Sequence, residues 1–576
     1  MQVLKALRGH GEVVEGEALV SPEAVHFNID FDQATGICVR TGHPLEGQSI
    51  RDKIVVFSYG KGGITNDLGL SAMATQGTAP KGIIVAAAKP DLIHGAISGG
   101  VSAMDGFDTD PVQSLKSGNH VVMDPASLTV EVSAQKPSGA EMRRQGGTSK
   151  IPKMPLTPDE ERFLSGGEDE AAKWAMNFIA QEGNYWQARG TAPLFSVHLG
   201  SCISHMGYGD WGIHLVERLA KQGAKFRTLT TTTPVGVDYE NWEELGMGRE
   251  AYEKQVAFSR ILAKMGAVPI DTTSPYLLGN VPREGDHVVW GESNEAVMAN
   301  AYFGARGNLV SYLCIIAHAI IGRVPRYGFA LDENRRGNVL VEVRATLKHE
   351  TDWDALGFAV VRALKRYDAV PVFVDLPKGQ ANMSTLKRLS CTLSTVNPYG
   401  ALSMFHIVGV TPEAPTAEAA CGGSLPKEKL VIEQSDIDSV YDFYDYEGKV
   451  DNIYLGDSSS PEELREIATL LNGRKVAKGV RVWVFTDAAW KPVAERMGVL
   501  PALREAGCKI VAGVFPSAFG GTKIREYLDG SVVLCDHAAP AYWFTGSTSW
   551  MGRMKVTPVF RPLAACIEAA VVGSVR

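Results

Sequence analysis

The stretch S-Y-G-K-G-G-I-T-N-D-L-G-L (58–70) sets Lys61, Gly62, Gly63, Thr65, Asn66 and Asp67 between an apolar run and a helical pattern. Free backbone N–H groups at such a turn can hold a carboxylate or a phosphate. The spacing fits neither G-x-x-x-x-G-K-[ST] nor G-x-G-x-x-G, so a tight turn with glycine supplying positive φ is the plainer reading. W-G-E-S-N (290–294) puts Glu292, Ser293 and Asn294 at a helix start, where polar side chains often only cap. Asn300 and Arg306 follow among small residues, which leaves ligand contact and a buried structural network equally open. His198 and His205 flank G-S-C-I-S just beyond a strand, a position suited to acid–base chemistry. Glu413 follows another strand, where a lone Glu is usually a cap or a surface charge. Cys535-Asp536-His537 offers three metal donors in succession, which cannot all point one way. No H-E-x-x-H frame exists.

These groups need a scaffold that brings strand ends together. Apolar runs at 54–57, 82–86 and 128–132 read as strands of a first unit over residues 1–134. The Pro-, Gly- and charge-rich segment 135–156 reads as a linker. Beyond it, over 157–576, strands at 194–197, 225–230, 339–343, 370–374, 403–408, 452–455, 481–485 and 509–514 alternate with amphipathic runs such as 252–265 and 462–471. Ser460, Pro461 and Glu463 give the latter a helix start with a capping box. Continuous apolar strands alternating with helices indicate an α/β fold with parallel sheets covered on both faces. Chemistry in such sheets belongs just past the carboxyl ends of strands.

Whole-chain properties narrow the function. At 576 residues about three to four domains are expected, and 45% hydrophobic with 21% charged residues is ordinary for a globular protein. A net charge of −8 gives no general attraction for nucleic acid or acidic lipid. Eight cysteines without C-x-x-C suggest reduced thiols and a cytoplasmic setting. The apolar run 313–321 is too short to span a bilayer.

Taken in order, G-K-G-G…G-T-A-P (60–80), W-G-E-S-N (290–294), A-N-A-Y-F-G-A-R (299–306), Y-G-F-A-L-D-E-N-R (327–335) and F-H-I-V-G-V-T-P-E-A-P-T (405–416) resemble the aconitase X family. The resemblance spans nearly the whole chain. It implies an aconitase-like architecture, a small swivelling α/β domain facing a large multi-lobed α/β portion across a cleft. It also implies dehydration of a small hydroxy acid, as with cis-3-hydroxy-L-proline or mevalonate 5-phosphate, assisted by an iron–sulfur cluster. Thr65, Asn66 and Asp67 then become candidate cleft residues, with Lys61, Gly62, Gly63, Asn300 and Arg306 as substrate contacts. His198 or Asp67 would be the base, and Glu292 and Ser293 would lie beside them.

Three positions depart from the family pattern. Thr273 stands where a T-C-x-P-Y phrase has cysteine, Asp457 stands for the cysteine of G-C-P-H, and Phe515 for a third. A cluster needs soft thiolates at such positions. The expectation is therefore a lyase or isomerase on a small carboxylate substrate, without the cluster, using no cofactor or a hard divalent cation at Asp457. A cluster-dependent cis-3-hydroxy-L-proline-type dehydratase and a non-catalytic small-molecule-binding protein are the alternatives.

Overall fold

The computed structural model describes residues 2–61, 65–135, 150–167, 169–200, 205–377, 379–395, 401–516, 522–545 and 555–575. The first unit is one eight-stranded sheet built from strands between Gln2 and Ser133. Its middle is parallel: Val14–Val20, Ile54–Tyr59, Gly82–Ala87 and Ser102–Asp105 lie side by side. Helices Asn66–Gln76 and Pro90–Gly99 pack on one face. The antiparallel flank of Gln2–Lys5, His120–Asp124 and Thr129–Ser133 has short strands of low apolar content, so only part of it is visible in the hydrophobic pattern.

The rest of the chain forms three parallel α/β lobes. The first has strands Leu229–Thr232, Ser196–Leu199 and Val288–Trp290 in that spatial order. The second has His406–Ile407, Pro371–Val374, Val339–Val343 and Lys429–Ile432. The third has Lys509–Ala512, Arg481–Thr486, Asn452–Ser459, Val532–Cys535 and Thr557–Phe560. The 225–230 run is a strand only from its end onward, as Leu229–Thr232, and two further strand expectations are corrected. The 403–408 run pairs only over His406–Ile407, because it lies at the sheet edge. The 452–455 run continues to Ser459 through a register shift, which brings Asp457 into the strand itself. The helix Pro461–Leu471 starts with the expected Ser460–Glu463 capping box.

One hydrophobic core runs through all three lobes, with Trp290, Trp353, Phe373, Trp483 and Phe485 fully buried in it. Each such side chain is worth about 1.5–3 kcal/mol of apolar burial. A shared core of this kind makes the lobes one block and fixes how their strand ends face one another. Among the described residues, no helix is long and apolar enough to cross a membrane.

Candidate active site

The carboxyl ends of the first-lobe strands converge tightly. A Cβ on Gly200 would lie 2.4 Å from the Gly291 carbonyl oxygen and 2.5 Å from the Tyr312 ring. Only glycine permits that approach of two strand ends. Just inside it, His198 is fully buried. Its Nε2 donates to the Thr272 carbonyl at 3.0 Å, so Nδ1 accepts from the Thr231 hydroxyl at 2.6 Å. Burial pushes its pKa down to about 3. Both nitrogens are engaged and the ring is neutral, which suits it to hold the 271–274 loop in place.

That loop carries the link to the third lobe. The Thr272 hydroxyl donates to Asp487 Oδ2 at 2.7 Å, and the Thr273 amide donates to the Ser458 hydroxyl at 3.3 Å. Asp487 follows the strand Arg481–Thr486, so the carboxyl ends of the first and third sheets face each other across this contact. Both sides hold a non-glycine residue in the left-handed region, Asp271 with φ 44° and Ser458 with φ 58°. Such conformations cost about 1–3 kcal/mol each and gather at functional sites. Gly456, two residues before Ser458, has φ 82°, and a Cβ there would fall 1.9 Å from the Ser459 hydroxyl.

The second lobe closes the third side through helix Met383–Ser394. Lys387 donates its ammonium to the main-chain carbonyl of Asp457. Burial opposes its charge, but Asp457, Glu463, Tyr276 and Asp487 outweigh this and raise its pKa. One turn inside helix Ser293–Ala301, Glu295 is fully buried, with Oε1 3.4 Å from His198 Nε2. Neither of its oxygens has a hydrogen-bond partner among the described residues. Burial and the Asp457 charge hold its carboxyl well above the usual range, despite Lys387. Burial likewise lifts Asp487 to about 7 and Asp271 to about 6. Acids, a fixed ammonium and a neutral histidine thus meet where three lobes join.

The residues picked from sequence fall into four groups. His198, Glu292, Ser293, Thr273 and Asp457 lie at this junction; Ser293 shares a 3.1 Å hydroxyl contact with Thr395, and Glu292 is buried at the N-cap of its helix. Arg306 and Asn300 do not join them. Arg306 bridges to His287 at the amino end of strand Val288–Trp290, about 10 Å along the strand from the end that His198 flanks. There it pairs with Glu413 at 2.8 Å and Asp332 at 3.0 Å, and Glu413 also holds Arg335. Asn300 brackets the Gly307 main chain and the Ser403 carbonyl, with no side-chain atom exposed.

The small-domain residues are the third group. Lys61 pairs with Asp30 at 2.8 Å, the Thr65 hydroxyl meets His26 Nε2 at 3.2 Å, and Asn66 donates to Asp91 at 2.8 Å. Asp67 is fully buried facing the Ser311 hydroxyl and Leu313 amide at the start of helix Tyr312–Ile321. Burial and Asp91 raise its pKa well above the carboxylate range. Since Tyr312 lies against Gly200, the small domain's strand edge abuts the first lobe's strand ends. Gly62 and Gly63 lie outside the described residues, and Phe515 is buried with no donor atom.

Sequence reading passed over Lys387, Glu295 and Asp487. Asp487 stands directly after a strand, and Glu295 is the lone ionisable residue of a helix that is buried throughout; both signals were available. A second constellation was also missed. His94 of the small domain meets Glu182 at 3.0 Å and Ser311 at 3.0 Å, and Glu182 also faces His318 at 3.2 Å and accepts from Tyr327 at 2.7 Å and Cys314 at 3.4 Å. All are buried. The His94, Glu182 and Cys314 donors lie within 4.8 Å of one another, and hydrogen bonds already occupy them. The set ties the small domain to the first lobe.

The iron–sulfur cluster implied by the resemblance does not fit the donors at the three positions the resemblance assigns to it. Thr273 and Asp457 offer hard oxygens, Phe515 offers nothing, and Lys387 brings a cation to the same place. Of the described cysteines, Cys391 is the one influenced by Asp457 and Lys387; burial and Asp457 push its thiol pKa up, and one thiol does not hold a cluster. Cys535 and Cys508 are buried within or beside third-lobe strands, and Cys202 lies outside the described residues. Asp536, at the end of one such strand, is spent on the Gly456 amide and His537, each at 2.9 Å.

A small α/β domain against three parallel lobes, with acid–base groups at facing strand ends, defines an aconitase-like enzyme. The chain belongs to the aconitase X family. The family's swivel domain matches residues 4–132, its first domain 153–333, its second 337–442 and its third 450–520. A cis-3-hydroxy-L-proline dehydratase of Pseudomonas aeruginosa is 27% identical over 566 residues, covering 97% of this chain and 94% of that protein. The phosphomevalonate dehydratase large subunit of Methanocaldococcus jannaschii is 31% identical over 365 residues, 62% of this chain and 88% of that subunit. The small subunit from Methanococcoides burtonii is 35% identical over 120 residues, 21% of this chain and 88% of that one. The crystal structure of Thermococcus kodakaraensis aconitase X in its holo-form aligns with a TM-score of 0.63 at 27% identity, covering 72% of this chain and all of that one.

Proposed function

We propose that this chain is a hydro-lyase that removes water from a small hydroxy acid, with its own ionisable side chains in the role a metal cluster would fill. The observation that carries this reading is the meeting of Glu295, Asp487 and Lys387 at the ends of two facing sheets, beside Thr273, Asp457 and Phe515. Dehydration needs a base for the carbon-bound proton and an acid for the departing hydroxyl. Asp487, with a pKa near 7 and Oδ1 unpartnered among the described residues, suits the base. Glu295, whose carboxyl pKa burial raises well above the usual range, suits the acid.

In that scheme Asp487 takes the proton from the carbon beside the substrate carboxylate. The C–O bond breaks with its electron pair going to oxygen, Glu295 delivers the proton, and an alkene and water leave. Lys387 stabilises the charge that develops on the carboxylate, a preorganised electrostatic role. His198 positions the 271–274 loop and Glu295 and transfers no proton. The relatives' names make cis-3-hydroxy-L-proline and mevalonate 5-phosphate the first substrates to test, the former matching over nearly the full chain.

The test is a panel of 3-hydroxy acids and hydroxy amino acids in D2O, followed by NMR. Loss of water, or deuterium exchange at the carbon beside the carboxylate, supports the reading. If no acid in the panel reacts or exchanges, the chain is a binding protein and the lyase reading falls.

A further inference from the structure

The small domain holds a cation that the scheme above leaves unused. Lys89 follows strand Gly82–Ala87 and is the N-cap of helix Pro90–Gly99, beside Thr65 at the N-cap of helix Asn66–Gln76. Neither N-cap side chain makes a capping hydrogen bond. Lys89 is only 8% exposed, and its ammonium has neither hydrogen-bond nor ion-pair partner among the described residues. The neighbouring cation Lys61 is already paired with Asp30. Asp91 is the nearby acid that favours the Lys89 charge, and its Oδ2 already accepts from Asn66. His26 is driven neutral, to about 4, by burial with Lys89 contributing. Across from Lys89 stands Tyr367 of the second lobe, its ring centre 5.9 Å from the ammonium and 5.8 Å from the Tyr59 ring.

A buried ammonium without a counter-ion is costly. Burial lowers the pKa of Lys89 to about 8, so it keeps its charge at neutral pH and still lacks a full partner. Two helix N-termini beside it add positive potential. We infer that Lys89 is the seat of an oxyanion subsite that grips an anionic group of the substrate, carboxylate or phosphate, remote from the carbon that loses its hydroxyl. This rests on the dehydratase reading for its substrate, but the subsite itself can be tested without turnover. It also gives the small domain a task at the cleft edge where its strands end.

Isothermal titration of the full chain with sodium phosphate and with sodium acetate tests it. One of the two should bind saturably, and which one distinguishes a phosphorylated substrate from a plain carboxylic acid. Lys89→Met should weaken that binding at least about tenfold, and Lys89→Arg should retain most of it. A melting curve for each variant shows that the fold is intact. If neither anion binds, or if Lys89→Met binds as tightly as the wild type while Lys387→Met does not, the inference is overturned. Lys89-dependent binding in a protein that dehydrates nothing would keep the subsite and remove the lyase reading.

Discussion

Lys387 of the second lobe donates to the main-chain carbonyl of Asp457 in the third, at the position where the family resemblance places a cluster cysteine. The same junction receives Asp487 through Thr272 and Glu295 through His198. A fixed ammonium at this place gives positive charge without a metal. It does so inside low-dielectric surroundings, where such charge acts strongly.

Lys387 is therefore the most sensitive position in the scheme. Lys387→Met should lower kcat by about 10²–10³, with a smaller effect on KM because the charge it meets develops in the transition state. Steady-state kinetics with the first reactive hydroxy acid checks this. A kcat within threefold of the wild type removes Lys387 from the mechanism.

The rate should follow the ionisation of Asp487. A base lifted by burial to about 7 is protonated and idle below that pH, so kcat should rise as pH increases through about 7. Burial raises the Glu295 carboxyl pKa well above its usual value, the direction that an acid working beside an ionised Asp487 requires. Asp487→Asn should abolish the rising limb and most of the activity, read from a pH–rate profile between pH 5 and pH 9.

How much of this was readable beforehand differs from residue to residue. Apolar runs such as 54–57, 339–343 and 481–485 stand out because parallel strands are buried on both faces, and the aconitase-like α/β fold is as expected. Glu292 and Ser293 lie at the junction because they follow a strand. Arg306 shares their sequence neighbourhood but sits at the amino end of the same strand. A chain that turns back after helix Ser293–Ala301 reverses which sheet edge it serves, and spacing does not reveal that. Lys387 was hidden for a related reason: it reaches the junction from a different lobe, on an amphipathic helix whose polar face looks solvated.

The His94–Glu182–His318 set predicts a stability effect. The pKa of Glu182 is depressed, because the histidine pair outweighs the burial that opposes its charge. Its contribution is thus present above the ordinary carboxylate pKa and is lost as pH falls toward the depressed value. Glu182→Gln should destabilise the protein by about 3–5 kcal/mol and flatten the acid limb of the stability curve. Urea melts between pH 3 and pH 7 give the comparison.

Lys89 predicts a slope of the same sign in an alkaline window. Its pKa falls from 10.5 to about 8 on folding, so the unfolded chain binds more protons between those values and stability should rise with pH there. Over that window the wild type should gain about 3 kcal/mol relative to Lys89→Met. Paired denaturation curves at pH 7.5 and pH 10.5 test this, and an unchanged difference between the two proteins contradicts it.

The central claim is that a side-chain set replaces a metal cluster at this junction. Iron and acid-labile sulfide, measured together with dehydration on one anaerobically purified and reconstituted sample, test it most directly. The account predicts turnover that persists after chelation, with iron and sulfide far below one per chain. Stoichiometric iron and sulfide whose removal abolishes turnover would contradict it.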